Sequence, residues 1–297
     1  MKSIRTAIIA LSILSLGVPS YGASGLALMK IEQGARASGM GGAFVSVPSD
    51  ATSALYNPAG AVDVTEFTAT FGHTSYWENI RLESGFFAAN LSGRMSAHGR
   101  IRFAAVDKLE GRLGPSSGYE EFDAHDISFK GGLSYRLTPK IAVGAAMGWY
   151  IEKIDVYRGS AFNFDLGLLA QLKENINVGA SVTDVGSDFT LTNVGMGSSR
   201  EISLPTTFRV GGSYKYRHYL GAADIVIRDS DTHLHLGVEA SPHEMFKVRG
   251  GYMTGYNSKN ITAGVAFTKR NLTIDYAFVP YSNELGTTHM FNFTFSL

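Results

Sequence analysis

The chain has 297 residues, and its 26 lysines and arginines are balanced by 26 aspartates and glutamates, which excludes the broad positive field that nucleic-acid binding needs. It contains no cysteine, which excludes disulfides, a thiolate metal centre and a cysteine-borne lipid anchor. With 34 glycines, 8 prolines, 18 phenylalanines and 14 tyrosines the chain reads as β-rich, and composition alone fits a sandwich as well as a barrel.

In chain order, Lys2 and Arg5 precede an apolar stretch from Thr6 to Val18. Ser20-Tyr21-Gly22 or Tyr21-Gly22-Ala23 then supplies small residues for cleavage. This is the pattern of a secretory signal over residues 1–22, as in an exported bacterial envelope protein. The run is short of the ~20 apolar residues of a spanning helix, and no later run is long enough.

Residues 23–64 do not alternate. They carry Gly34, Gly39, Gly41 and Gly42, then the turn-forming Asn57-Pro58-Ala59-Gly60. Their apolar residues, among them Leu26, Met29, Ile31, Met40, Phe44 and Val45, are too many for a solvated tail. The segment is expected to fold against something. The cluster precedes no evident helix and does not complete Gly-x-Gly-x-x-Gly, so a nucleotide-binding loop is not indicated.

Candidate strands follow at Thr65–Trp77, Ile80–Leu91, Gly99–Lys108, Ala124–Leu137, Lys140–Lys153, Ser160–Leu172 and Ile176–Val185. The series continues with Pro205–Tyr216, Tyr219–Arg228, Thr232–Ala240, Met245–Met253, Asn260–Thr268, Asn271–Phe278 and Thr287–Leu297. The clearest is Lys140–Lys153, where Ile141, Val143, Ala145, Met147, Trp149 and Ile151 share one parity. The opposite parity holds Ala142, Gly144, Ala146, Gly148, Tyr150 and Glu152. Period-two spacing puts the two sets on opposite faces. About ten residues with one continuously apolar face fit a strand crossing a bilayer at a tilt. The residues after 64, at roughly 16–17 per strand and turn, give about 14 strands, an even number as in single-chain bacterial barrels.

Charges fall opposite the apolar parity in other strands too, which makes them lumen positions, since a charge facing lipid costs ~2–4 kcal/mol at midplane. The candidate polar lumen residues are Lys130, Asp165, Arg209, Asp224, His233, His235, Glu239, Lys247, Arg249 and Asp275. Arg36 is expected to pair with a lumen carboxylate, Asp165, Asp224, Glu239 or Asp275. Gly144 and Gly148 read as clearance for the N-terminal segment. Short connections such as Thr138-Pro139 and Arg217-His218 alternate in phase with the longer Leu109–Asp123, Gly186–Leu204 and Val279–Gly286, as periplasmic turns and external loops do. Aromatics near strand ends (Tyr76, Trp77, Trp149, Tyr150, Tyr214, Tyr216, Tyr219, Tyr252, Tyr276) suit interfacial girdles. The last strand, with Phe291, Phe293, Phe295 and Leu297 on one parity, resembles the closing assembly signal of outer-membrane barrels, except that Leu297 stands where Phe is favoured.

The run Gly34-Ala35-Arg36-Ala37-Ser38-Gly39-Met40-Gly41-Gly42-Ala43-Phe44-Val45, followed by Asp50-Ala51 and Asn57-Pro58-Ala59-Gly60, resembles the start of the PorV/PorQ family. That family is related to FadL-type hydrophobe transporters, whose N-terminal hatch also carries Asn-Pro-Ala. The resemblance implies a 14-stranded bacterial outer-membrane barrel (residues 65–297) with a plug (residues 23–64) inside its lumen. Its plug motif is Gly34, Arg36, Gly39, Gly41, Gly42, Asn57, Pro58, Ala59 and Gly60. The implied function is passage of small or hydrophobic molecules across the outer membrane. The alternative is a PorV-type accessory of type IX secretion that binds cargo or translocon through external loops. The expected partners are therefore membrane lipid and either a hydrophobic small molecule or secretion machinery.

His233, His235 and Glu239 share a strand face and a spacing that could hold a metal, but polar lumen residues are the plainer reading; neither a metal nor a cofactor is expected. The string Gly114-Pro115-Ser116-Ser117-Gly118 lies within the expected loop Leu109–Asp123 and not on a strand-to-helix elbow, and no His-Glu-x-x-His motif occurs, so no enzyme is expected.

Overall fold

The computed structural model describes residues 26–48, 50–76, 80–111, 120–193, 197, 199–282 and 286–297. The expected signal and Trp77 lie outside the described residues. The strands are β1 (Phe67–Ser75), β2 (Ile80–Asn90), β3 (Met95–Gly111), β4 (Glu120–Thr138), β5 (Ile141–Ile154), β6 (Tyr157–Lys173), β7 (Ile176–Gly186) and β8 (Phe189–Asn193). They continue as β9 (Ser199–Ile202), β10 (Thr207–Tyr216), β11 (Tyr219–Arg228), β12 (Asp231–His243), β13 (Phe246–Met253), β14 (Ile261–Lys269), β15 (Leu272–Pro280) and β16 (Thr287–Ser296). Neighbours pair antiparallel from β1 to β7 and from β10 to β16. β7 pairs with β10, and β16 pairs with β1. The result is a closed all-β barrel of fourteen strands, whose wall has no free edge among the described residues.

Alternation fixes which face of the wall is which. On β5, Met147 is 60% exposed, whereas Tyr150 on the opposite parity is 0% exposed. Phe71, Leu133, Leu166, Val238 and Phe293 are likewise exposed on the outer face. In water each such side chain would forgo roughly 1.5–3 kcal/mol of burial; a bilayer removes that penalty. The outward apolar set of β5 runs from Ile141 to Ile151. That is roughly 34 Å of strand, or about 25 Å in height at the tilt of a membrane barrel.

Two expected external loops prove more ordered than read. β3 and β4 extend through Leu109↔Phe122 to Gly111↔Glu120, so much of the expected loop Leu109–Asp123 is ladder. Residues 112–119 lie outside the described set. Within Gly186–Leu204, β8 and β9 form a hairpin that pairs with β6 at Tyr157↔Asn193 and Arg158↔Thr192. Alternation cannot show this, because a short hairpin lying on the rim has no lipid face to pattern.

Candidate functional site

The chain from Leu26 to Val64 lies against the inner face of the barrel wall. A short helix, Ala35–Gly39, forms inside the glycine cluster, and the helical turn Ser53–Tyr56 and the 3-10 turns Ala27–Lys30 and Pro58–Asp63 lie on either side of it. Between its short helical turns the segment is irregular, and side chains from the wall hold it. Its backbone polar groups need partners once water is excluded. Asp224 on β11 accepts the backbone N–H of Phe44 (2.6 Å) and of Val45 (2.8 Å). Ser134, Ser181 and Ser213 donate to the carbonyls of Pro58, Tyr56 and Ser46 at 2.6, 2.6 and 3.0 Å.

Asn57-Pro58-Ala59-Gly60 forms the last turn before the wall begins. Asn57 caps the 3-10 helix Pro58–Asp63 by accepting the N–H of Ala59 at 3.0 Å, with Pro58 at the first helical position. The Asn57 amide donates to Val45 O (2.8 Å) and to Leu168 O on β6 (2.9 Å), tying the motif both to its own segment and to the wall. A Cβ on Gly60 would sit 2.8 Å from Ser53 Cβ.

The glycines allow close approach. Gly41 and Gly42 have φ of +64° and +72°, a region that glycine enters without a steric penalty. Gly41 donates to Thr262 Oγ1 at 3.0 Å and lies against Gly251, where a Cβ would overlap it. A Cβ on Gly39 would meet Gly264 Cα at 3.1 Å. Gly34 has φ of +85°. On the wall, a Cβ on Gly144 would overlap Pro58, so that glycine gives clearance to the segment. One on Gly148 would overlap Phe129 O and Lys130 instead. The reading of Gly148 as clearance for the segment is therefore corrected: it makes room for its own cross-strand neighbour.

Arg36 joins the segment to the wall. Its Nε donates to Glu239 Oε2 at 3.0 Å, its Nη2 to Glu239 Oε1 at 3.1 Å, and its Nη1 to Asp50 Oδ2 at 2.9 Å. Burial works against its charge, but Glu239 and Asp50 outweigh it and raise the guanidinium's pKa further. The network extends through Arg249, which donates to Glu239 (2.7 Å) and Asp275 (2.7 Å). Higher in the segment, Glu32 accepts from Lys259 Nζ at 3.0 Å. Burial alone would raise this carboxyl, but Lys259, His235 and Arg228 hold it down at about 2.

A second network occupies the β3–β7 side. Lys130 is bonded to Asp165 and, at 2.8 Å, to Asp184. Arg102 and Tyr150 both donate to Asp126, at 3.3 and 3.0 Å, and Arg100 lies 3.6 Å from Asp184. Of these, only Lys130 and Asp165 are among the candidate site residues read from sequence. The parity of Arg100, Arg102 and Asp126 would have found three more. Asp184 escapes that rule because it sits at a register shift in β7 with φ of +60°, where a bulge turns it inward.

The remaining candidates take structural roles. His233 stacks on Tyr256 with ring centroids 3.9 Å apart, and His235 Nε2 lies 2.9 Å from Tyr256 Oη. No metal-holding group of three His, Cys, Asp or Glu occurs among the described residues. Arg209 packs over the Tyr56 ring at 5.4 Å and donates to Thr183 Oγ1 at 3.2 Å. Lys247 lines a polar cavity of about 610 Å³ beneath the segment, shared with Arg36, Asp50, Lys215 and Arg217. A larger concavity, about 770 Å³, lies on the outer face around Gly212, Gly221 and Leu236; it faces lipid and is not part of the lumen. Two aromatics read as girdle residues are inside. Tyr150 is fully buried, and Tyr76 accepts from Tyr281 Oη at 3.2 Å. Trp149, Tyr214, Tyr216, Tyr219 and Tyr252 are exposed on the outer face.

The two ends of the interior differ in chemistry. At the end carrying the β8–β9 hairpin, Leu26, Tyr150, Ala161, Phe189 and Leu204 form an apolar cluster joined by Met29, Leu191 and Ile202. The opposite mouth holds the polar cavity.

No family model matches the sequence, and no curated protein sequence is significantly similar to it. Solved structures do match. The toluene transporter TodX of P. putida aligns with a TM-score of 0.67 at 13% identity, covering 89% of this chain and 98% of its own. The toluene transporter TbuX of Ralstonia pickettii aligns at 0.63 and 16% identity, with the same coverage. A Pseudomonas aeruginosa FadL homologue aligns at 0.60 and 11% identity, covering 89% and 98%. The chain thus has the fold of FadL-type outer-membrane barrels. The PorV/PorQ resemblance finds no counterpart among these matches.

Proposed function

We propose that this protein is an exported bacterial outer-membrane barrel that passes small hydrophobic molecules, with residues 23–64 as a plug and residues 1–22 as a cleaved signal. The observation that carries the reading is the pairing of a lipid-faced, closed fourteen-stranded wall with a lumen filled by its own N-terminal segment. The fold it shares with toluene transporters supports the same substrate class. An apolar cluster at the external end suits acceptance of a hydrophobe. Passage then requires the segment to shift, because Asp224, Ser134, Ser181 and Ser213 bond it to the inner wall at several strands.

The absence of cysteine allows a direct test. Ser46 and Ser213 are neighbours across segment and wall, the Ser213 hydroxyl donating to Ser46 O at 3.0 Å, so the pair Ser46→Cys/Ser213→Cys is the cross-link to test, its formation checked by non-reducing electrophoresis. Oxidation should abolish toluene uptake into cells expressing the double variant, and reduction should restore it. Uptake that persists in the locked form would overturn the reading. No observation favours the secretion role; a secretome unchanged by gene deletion is the corresponding expectation.

A further inference from the structure

On β4, β5 and β6 the outward face of the wall changes character abruptly along the strands. There the row Phe129–Trp149–Phe162 is aromatic, with Trp149 stacked on Phe129 and edge-to-face with Phe162, and the next outward row is Ile127–Ile151–Ser160. One row further out stand His125, Lys153 and Arg158, in direct register with one another. The same row continues through Ala105 to Arg81 on β2, and through Ser75 to His289 on β16. On β4, β5 and β6 the row therefore lies where the apolar band ends, on the side of the β5–β6 turn.

Two features set these positions apart from an ordinary solvated rim. Lys153 and Arg158 are directly opposite each other, and like charges so placed destabilise a sheet pair. No ion pair relieves either of them, or His125, among the described residues. The carboxylates nearest in the ladder are otherwise placed. Glu83, one row inward, is bonded to His73 at 2.7 Å, and Asp123 and Asp155 lie beyond the row at the rim. An anion seated between Lys153 and Arg158 would turn repulsion into attraction. Its own tail would lie on the apolar rows below.

We propose that His125, Lys153 and Arg158 dock the phosphate groups of a phosphorylated glycolipid of the outer leaflet. The acyl chains of that lipid cover the Phe129–Trp149–Phe162 face. The proposal rests on the reading of this chain as an outer-membrane barrel with the β5–β6 turn facing outward. Phosphates fit better than carboxylates because a bis-phosphorylated headgroup can span several cations spaced about 5 Å apart along a row.

The test uses the full-length protein in non-ionic detergent, titrated with bis-phosphorylated lipid A, its dephosphorylated form, phosphatidylglycerol and inorganic phosphate, with binding read by native mass spectrometry. Each lost cation should weaken binding about fivefold, so Lys153→Gln/Arg158→Gln should bind bis-phosphorylated lipid A roughly 25-fold less tightly. Lys269→Gln, at the opposite end of the barrel, should match the unaltered protein. Equal affinity for the dephosphorylated lipid, or no change in the double variant, overturns the proposal. Phosphatidylglycerol bound as tightly, with the same dependence on Lys153 and Arg158, would assign the row to ordinary phospholipid and also overturn it. Competition by inorganic phosphate at equal concentration would indicate a free-anion site and do the same. Membrane fractionation and heat-modifiable electrophoresis check location separately, so failure of the outer-membrane reading is distinguishable from failure to bind.

Discussion

At the residue scale, the segment is held to the wall by many side-chain bonds, and Glu239 is central because both Arg36 and Arg249 bond to it. Glu239→Gln keeps the shape but removes the charge. It should weaken the hold on the segment by about 1.5–3 kcal/mol, which is roughly a tenfold to hundredfold rise in its open population. Faster hydrogen exchange at residues 35–48 with unchanged exchange in β1–β7 is the expected result. Glu32 gives a pH dependence. Its folded pKa of about 2 lies below the ordinary 4.5, so its contribution is complete above 4.5 and is lost as the pH falls from there through about 2. Melting temperatures at pH 7 and pH 3 should therefore differ less in Glu32→Gln than in the unaltered protein. Both contacts were only partly legible. Charge parity placed Glu239 inside and marked Arg36 as seeking a carboxylate, yet it could not choose among four partners. It gave no sign of Asp50, which lies on the segment itself.

At the scale of elements, glycines of the wall serve two different neighbours, and substitutions should separate them. A Cβ on Gly251 would overlap the backbone of Met40 and Gly41, whereas a Cβ on Gly148 would overlap Phe129 O across the ladder. Gly251→Ala should leave a heat-modifiable barrel while raising protease access to residues 35–48. Gly148→Ala should lower the yield of folded barrel itself. A sequence shows that both glycines face inward but not what fills the space before them. The β8–β9 hairpin and the Asp184 bulge were hidden for a related reason, since both depart from period two and are set by pairing with β6.

At the scale of the whole molecule, the wall is stable only in a solvent that accepts an apolar exterior. Met147 lies near the middle of the outward band of β5 and is 60% exposed. Met147→Arg should lose about 2–4 kcal/mol, measured as a lower urea midpoint for unfolding from lipid vesicles. Ala145→Ser, also outward on β5 but uncharged, should lose much less. Closure through the β1–β16 and β7–β10 pairs leaves no unpaired edge in hydrocarbon, which satisfies the strictest constraint on a spanning structure.

The sequence by itself determined that the chain is a membrane barrel, how many strands form its wall, and which faces meet lipid. Lipid and lumen impose opposite demands on alternate residues, and that demand is written at every second position. Only the tertiary structure decided how the interior is filled: which carboxylates hold Arg36, which glycine yields to which backbone, and which loop folds into a hairpin. Those choices depend on contacts between residues about 200 positions apart, as between Arg36 and Glu239. Such contacts leave no local period in the chain.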